Sequence, residues 1–351
     1  MVKNRKPVGF STRQYMRPEK EAINQRVARF GKLYMEVGGK FLYDAHAARV
    51  LPGYDPTAKL QLMKGLPDKD LIYCVSAMDL QSGRVIHDFE LNVAGHAMRN
   101  MAALKRQGMA VSFVAITRYS GQKEARSFAR RARKTGVDVF FHKEIEGYPQ
   151  NIPSVLAGYM ENPWIPSEAR LTLVTGVASS SGKMAVALSQ IYHELKMGRR
   201  TGFAKFETFP IWDLPLNHPV NIAYEAATAD LQDRNMVDPY YRKACGKIAV
   251  NYNRDIENFR IMGKIYRAMT GKPGAFGYNS PTEMGLNLAS KCITNDALCR
   301  KAAVREIARR YTQYLADYSQ GRESLATIRR MRFIMHKAGL EVPKGRPKGR
   351  P

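Results

Sequence analysis

The stretch Thr175-Gly176-Val177-Ala178-Ser179-Ser180-Ser181-Gly182-Lys183 carries the densest chemical signal in the chain. It joins a short apolar run, Leu171 to Thr175, to an amphipathic one, Lys183 to Lys196, and so forms the turn from a buried strand into a helix. Small residues at such a turn let backbone N–H groups approach phosphate oxygens, while the helix N-terminus adds partial positive charge and Lys183 a full one. Gly176, Ser179, Ser180, Ser181, Gly182 and Lys183 are therefore the candidate nucleotide-binding residues, with ATP or another nucleotide carrying magnesium as the expected cofactor. The spacing departs from the strict GxxxxGK[ST] pattern. Gly176 is one position too far from Gly182, and Met184 stands where a Ser or Thr would hold magnesium. An ordinary polar turn between strand and helix is the competing reading.

Carboxylates follow the next strand, in Lys205-Phe206-Glu207-Thr208-Phe209-Pro210-Ile211-Trp212-Asp213. In open α/β sheets, ligands bind beyond the carboxyl ends of strands. Glu207 or Asp213 is thus placed to organise magnesium or activate a nucleophile, with Lys183 as the catalytic cation. Lys205 and Glu207 also share a strand face by the period of two, and a structural ion pair accounts for them equally well. His218 titrates near neutrality and is a candidate catalytic group, although its place before Pro219 suits helix capping. Asn221 and Glu225, four residues apart on one helix face, are candidate substrate contacts together with Asp230. The cluster Asn251-Tyr252-Asn253-Arg254-Asp255 either binds a polar substrate, through Asn251, Asn253 and Arg254, or caps the helix that follows. No metal-ligating set is expected, because Cys74, Cys245, Cys292 and Cys299 are scattered and form no paired CxxC motif.

The elements that must position these residues alternate between apolar runs and amphipathic stretches, the signature of βαβ units around a parallel sheet. Strands are expected at Leu71–Ala77, Val111–Thr117, Val137–His142, Leu171–Thr175 and Thr201–Phe206. Helices are expected at Ala94–Gln107, Gln122–Lys134, Lys183–Lys196, Pro219–Leu231, Asp255–Thr270 and Asp296–Tyr318. The fold class is therefore α/β, as two Rossmann-like open parallel-sheet units with helices on both faces, the second unit carrying the phosphate-loop-like turn. Pro149, Pro153, Pro163 and Pro166 mark the junction. The expected division is an N-terminal domain at 1–150, a loop-bearing domain with a helical end at 151–320, and a basic, partly disordered tail at 321–351.

Fifty-six Lys and Arg against 31 Asp and Glu give a net charge of +25, which favours polyanionic partners. The tail Lys344-Gly345-Arg346-Pro347-Lys348-Gly349-Arg350-Pro351 repeats a four-residue unit twice and offers Lys344, Arg346, Lys348 and Arg350 as nucleic-acid contacts. No apolar run approaches the roughly 18 residues of a membrane span, and the basic N-terminus continues into Ser11-Thr12-Arg13-Gln14 instead of an apolar leader core, so no membrane partner and a cytoplasmic location are expected. A homo-oligomer is left open.

Several segments together resemble the bacterial family of unknown function DUF1846, also named UPF0371. They are Phe30 to Tyr34 with Gly38-Gly39-Lys40, His46 to Gly53, Thr117 to Gln122, Ser181 to Met184, Ala204 to Pro215, His218 to Asp233 and Val250 to Asp255. The resemblance spans roughly the first 300 residues and implies a fold more than an activity. The family's loop is richer in glycine than Val177 to Lys183, and its members usually continue into a further C-terminal domain. The residues themselves point to a phosphotransferase or nucleotide hydrolase, and the basic surface and tail place its action on or near nucleic acid. The alternatives are a non-catalytic nucleic-acid-binding protein on the same scaffold and an enzyme for a small anionic metabolite.

Overall fold

Alternate residues of the central strands point into two different apolar clusters in the computed structural model, which describes residues 8–38, 40–86, 91–178 and 180–343. Leu33, Met35, Leu71, Val75, Ile116 and Leu173 join one cluster. Tyr34, Ile72, Cys74, Ala115, Val174 and Phe203 join the other. A strand with a period of two and both faces apolar must be covered on both sides, which is the condition of a parallel sheet inside an α/β protein.

In chain order, α1 (Thr12–Phe30) leads into β1 (Lys32–Val37), and α2 (Ala45–Val50) and α3 (Ala58–Lys64) lead to β2 (Lys69–Ser76). Next come α4 (Ala77–Gln81), a small hairpin of β3 (Val85–Ile86) and β4 (Leu91–Asn92), α5 (Val93–Arg106) and β5 (Phe113–Tyr119). They are followed by α6 (Lys123–Arg133), β6 (Asp138–Lys143), α7 (Ile152–Glu161), β7 (Leu171–Gly176), α8 (Lys183–Lys196) and β8 (Thr201–Phe206). The last part holds α9 (Pro219–Ala227), β9 (Asn235–Val237), α10 (Pro239–Cys245), β10 (Val250–Tyr252) and α11 (Asn253–Thr270), then α12 (Pro281–Met284), β11 (Gly285–Leu286), α13 (Asp296–Ser319) and α14 (Leu325–Lys337).

Seven strands form one sheet in the order β11-β8-β1-β7-β2-β5-β6, and every pairing in it is parallel. Helices α7, α8 and α11 cover one face through Tyr159, Ile191 and Phe259. Helices α1, α5, α6, α9, α13 and α14 supply the cluster on the other through Ile23, Leu104, Phe128, Ile222, Ile307 and Met331. No helix of the described residues is long and apolar enough to cross a membrane.

The strands that the sequence divides between two sheet units stand in this single sheet. The element that joins them is β1, which pairs with β7 on one side and β8 on the other, Leu33 lying opposite both Leu171 and Gly202. Lys32 and Glu36 break the apolar run Leu33 to Met35, which leaves β1 without a strand signal of its own. The region assigned to a tail is also structured as far as α14, whose Ile328, Met331, Ile334 and Met335 are buried and whose first turn is capped by Ser324 accepting from the Thr327 N–H. The repeat bearing Lys344, Arg346, Lys348 and Arg350 lies outside the described residues.

Candidate functional site

Neighbouring strands β1 and β7 send their connections in opposite directions. The chain leaves β1 for β2, on the far side of β7, and leaves β7 for β8, on the far side of β1. Such a reversal opens a crevice beyond the carboxyl ends of the two strands, where the connecting loops diverge. A cavity of about 480 Å³ lies there, lined by Glu36 and Gly38 after β1, by Ser180, Gly182 and Lys183 after β7, and by Lys205 and Glu207 from β8.

The turn after β7 is fixed by its glycines. A side chain on Gly176 would meet the Ser181 Oγ at 2.1 Å and the Cys74 carbonyl oxygen at 2.8 Å. Gly182 sits at φ +79° as the N-cap of α8, a conformation that favours glycine, and among the described residues no side chain caps the helix there. The Thr117 hydroxyl donates to the Ser181 carbonyl over 3.0 Å and ties the turn to β5. Lys183 folds back over the turn, its Nζ donating to the Ala178 carbonyl over 3.3 Å and standing 3.7 Å from Glu36 Oε1. Ser180 Oγ accepts from Arg84 at 3.1 Å, Ser181 is fully buried, and Ser179 lies outside the described residues.

A second group centres on Lys205. Its ammonium donates to Asp255 Oδ1 over 2.6 Å, stands 3.1 Å from Glu207 Oε1, and donates to the Tyr252 hydroxyl, which in turn donates to both oxygens of Glu207. Burial opposes the charge on Lys205, but the carboxylates of Asp255, Glu207 and Glu36 together outweigh it and raise its pKa. Burial also pushes Asp255 up to about 6 against the pull of Lys205, with Glu207 adding to the rise. Tyr252 and Tyr224 are held neutral by burial and the surrounding carboxylates. Glu207 reaches this position because residue 38 is glycine: a Cβ there would meet Glu207 Oε1 at 2.4 Å.

The remaining wall comes from distant segments. Lys59 bridges Asp44 at 2.9 Å and donates to the Gly38 carbonyl. His46 Nδ1 lies 3.3 Å from Glu306, which also receives Arg49, Arg309 and Arg310. Burial lowers the pKa of His46, which keeps the ring neutral near pH 7. Phe209 stacks on Tyr224 with centroids 6.1 Å apart, and Met262, Met284 and Leu231 add apolar surface. The cavity therefore combines cations and carboxylates from the strand ends with aromatic and aliphatic side chains.

Of the residues singled out from the sequence, Ser180, Gly182, Lys183, Glu207 and Arg254 line this cavity. Arg254 holds Asp233 through two bonds of 2.6 and 2.7 Å. Asp213, His218, Asn221, Glu225, Asp230, Asn251 and Asn253 lie outside the cavity's lining, each with a partner. Asp213 accepts from the Ser290 hydroxyl. His218 caps α9 through the Val220 N–H and bonds Asp296 at 2.9 Å. Asn221 bonds both the N–H and the carbonyl of Ile211. Glu225 receives Arg330 and Lys337 from α14, each within 2.9 Å. Asp230 accepts from the Tyr314 hydroxyl. The side chains of Asn251 and Asn253 accept from the backbone N–H groups of Tyr252 and Arg234. Sequence reasoning missed Glu36, Asp44, His46 and Lys59, and it took Asp255 only as one member of a polar cluster that binds a substrate or caps a helix. A carboxylate two residues before Gly38-Gly39-Lys40 was the available signal for Glu36.

The family model for the N-terminal part of DUF1846, a domain of unknown function, matches residues 8–339. The chain belongs to this family. It is similar to UPF0371 proteins of Fusobacterium nucleatum, 42% identical over 337 residues, and of Clostridium tetani, 41% identical over 337 residues. A third, from the Alaska E43 strain of Clostridium botulinum, is 40% identical over the same length. Each match covers 95% of this chain, 66% of the Fusobacterium protein and 67% of the two clostridial ones, so the chain spans about two thirds of the length of these family members.

Proposed function

We propose that the cavity beyond β1, β7 and β8 binds a phosphorylated ligand, a nucleotide first among them, and that the protein acts as a phosphotransferase or nucleotide hydrolase. The observation that carries this reading is the placement of the Ser180–Lys183 turn, with its glycine-capped helix N-terminus, in the wall of a cavity at the point where the strand connections reverse. A phosphate at the start of α8 meets N–H groups that no side chain among the described residues caps, and meets Lys183.

In the same cavity, Asp255 and Glu207 supply carboxylates for proton transfer. A carboxyl whose pKa stands near 6 changes protonation state close to neutral pH, as a general base for an acceptor hydroxyl or water must. Lys205 offers a permanent positive charge beside them, suited to an oxygen that becomes more negative as the reaction proceeds.

A second reading, an enzyme for a small phosphorylated metabolite, is favoured by Met184, which lines the cavity where a magnesium-binding hydroxyl would stand in a strict phosphate loop. A thermal-shift screen against ATP, GTP, inorganic phosphate and phosphorylated sugars separates the two. A ligand at ~100 times its Kd stabilises the protein by about 2.7 kcal/mol. Stabilisation by nucleotides that is lost in Lys183→Ala supports the first reading, and stabilisation by sugar phosphates alone supports the second. No shift with any member of the panel removes both.

A further inference from the structure

We infer that the outer face of α6 is a docking surface for the phosphate backbone of a nucleic acid, separate from the cavity. Helix α6 reads Lys-Glu-Ala-Arg-Ser-Phe-Ala-Arg-Arg-Ala-Arg and ends at the capping Lys134, so Lys123, Arg126, Arg130, Arg131, Arg133 and Lys134 stand on it against one carboxylate, Glu124. Its apolar residues, Ala125, Phe128, Ala129 and Ala132, are all buried against the sheet, and the six cations are all exposed. The cations are therefore sorted to one side by the same periodicity that anchors the helix.

What distinguishes this face from an ordinary solvated helix is the lack of compensation. The ion pairs nearest along the chain join Arg118 to Glu144 and Lys143 to Glu161, and among the described residues none takes up a cation of α6. Arg126 and Arg133 are held instead by neutral carbonyls, those of Gly121 and Val139, which fix the side chains without reducing their charge. Six like charges within a few turns repel one another, and a polyanion is the partner that relieves this repulsion while releasing its counterions.

The spacing fits a phosphate backbone. Arg126, Arg130 and Lys134 recur every four residues, a cation about every 6 Å along the helix axis. Every second phosphate of a DNA strand advances by about 6.8 Å. A lipid surface would call for exposed apolar side chains beside the cations, and α6 exposes none.

The test is fluorescence anisotropy of the full chain with a 20-base-pair duplex DNA and with a 20-nucleotide single-stranded RNA over a range of salt concentrations. The variant Arg126→Gln/Arg130→Gln/Arg131→Gln/Lys134→Gln is compared with Lys243→Gln/Arg260→Gln/Lys264→Gln/Arg267→Gln. The second removes the same charge from exposed positions on α10 and α11. The α6 variant is expected to lose at least ~10-fold in affinity at 0.1 M salt, with its log–log salt slope on duplex DNA reduced by up to about 3.6, since each of the four phosphate contacts removed contributes ~0.9. The control variant is expected to lose less than about 3-fold. Whichever nucleic acid binds more tightly identifies the source of the backbone. Equal losses in the two variants, an unchanged α6 variant, or binding of phosphatidylserine vesicles with no binding of either nucleic acid would overturn the inference. Matching thermal midpoints of the two variants keep misfolding out of the comparison.

Discussion

Replacing Lys205 by methionine tests the electrostatics of the cavity at their centre. Lys205 is bonded to Asp255 and stands beside Glu207, and the side chains of Lys205 and Asp255 are only 12% and 11% exposed. Removing one partner of a buried ion pair costs about 3–5 kcal/mol, mostly because the other charge is stranded. Burial already raises Asp255 to about 6, so folding favours its protonated form. That stability is full below the ordinary carboxylate pKa and is lost as pH rises through about 6. Without Lys205 the folded-state pKa of Asp255 moves higher still, and the loss extends into the neutral range. Urea unfolding should therefore show Lys205→Met destabilised by about 3–5 kcal/mol at pH 8 and by roughly 1–2 kcal/mol at pH 5, where Asp255 can take up a proton. Adding Asp255→Asn should recover most of the pH 8 loss. An equal loss at both pH values, or no recovery in the double variant, would mean that Lys205 acts by packing and not by charge.

Glu19 is fully buried, with Oε1 accepting from the Leu288 N–H, and burial pushes its pKa up to about 7. Its contribution is present below about 4.5 and lost as pH rises through about 7, so Glu19→Gln should flatten the stability profile between pH 5 and pH 8 by about 3 kcal/mol, measured by urea unfolding. Gly38→Ala places a Cβ 2.4 Å from Glu207 Oε1 and should weaken ligand binding at least ~10-fold while the thermal midpoint moves by only a few degrees. Asn221→Ala strands the N–H and carbonyl of Ile211 and should cost about 2–4 kcal/mol by urea unfolding, with the affinity of the folded protein for its ligand unchanged.

The elements around the turn were legible because local pattern alone determines them. An apolar run at Leu171, a polar turn and an amphipathic stretch from Lys183 to Lys196 correspond to β7 and α8 almost residue for residue. The phosphate-loop-like pattern singled out Lys183 and the rule that ligands meet strand ends singled out Glu207, and both line the cavity. Strand β1 was not legible, because charged Lys32 and Glu36 flank only three apolar residues and its identity depends on both neighbours in the sheet. Polar residues at helical spacing misdirected the reading for a related reason. His218 and Glu225 face partners 78, 105 and 112 residues away, and nothing in their own segment reveals Asp296, Arg330 or Lys337. The same distance in sequence hid Lys205 from Tyr252 and Asp255, 47 and 50 residues on, until the chain was folded.

The central claim is that a phosphate group sits against Lys183 at the start of α8. Phosphorus NMR of ATP titrated with the protein, and with Lys183→Ala, measures this directly. The account predicts broadened and shifted phosphate resonances with the native chain and, with the variant, an affinity at least ~30-fold weaker, as expected from losing a charge-assisted contact worth about 2 kcal/mol. Identical phosphate shifts and affinity with Lys183→Ala would place the ligand elsewhere and contradict the account.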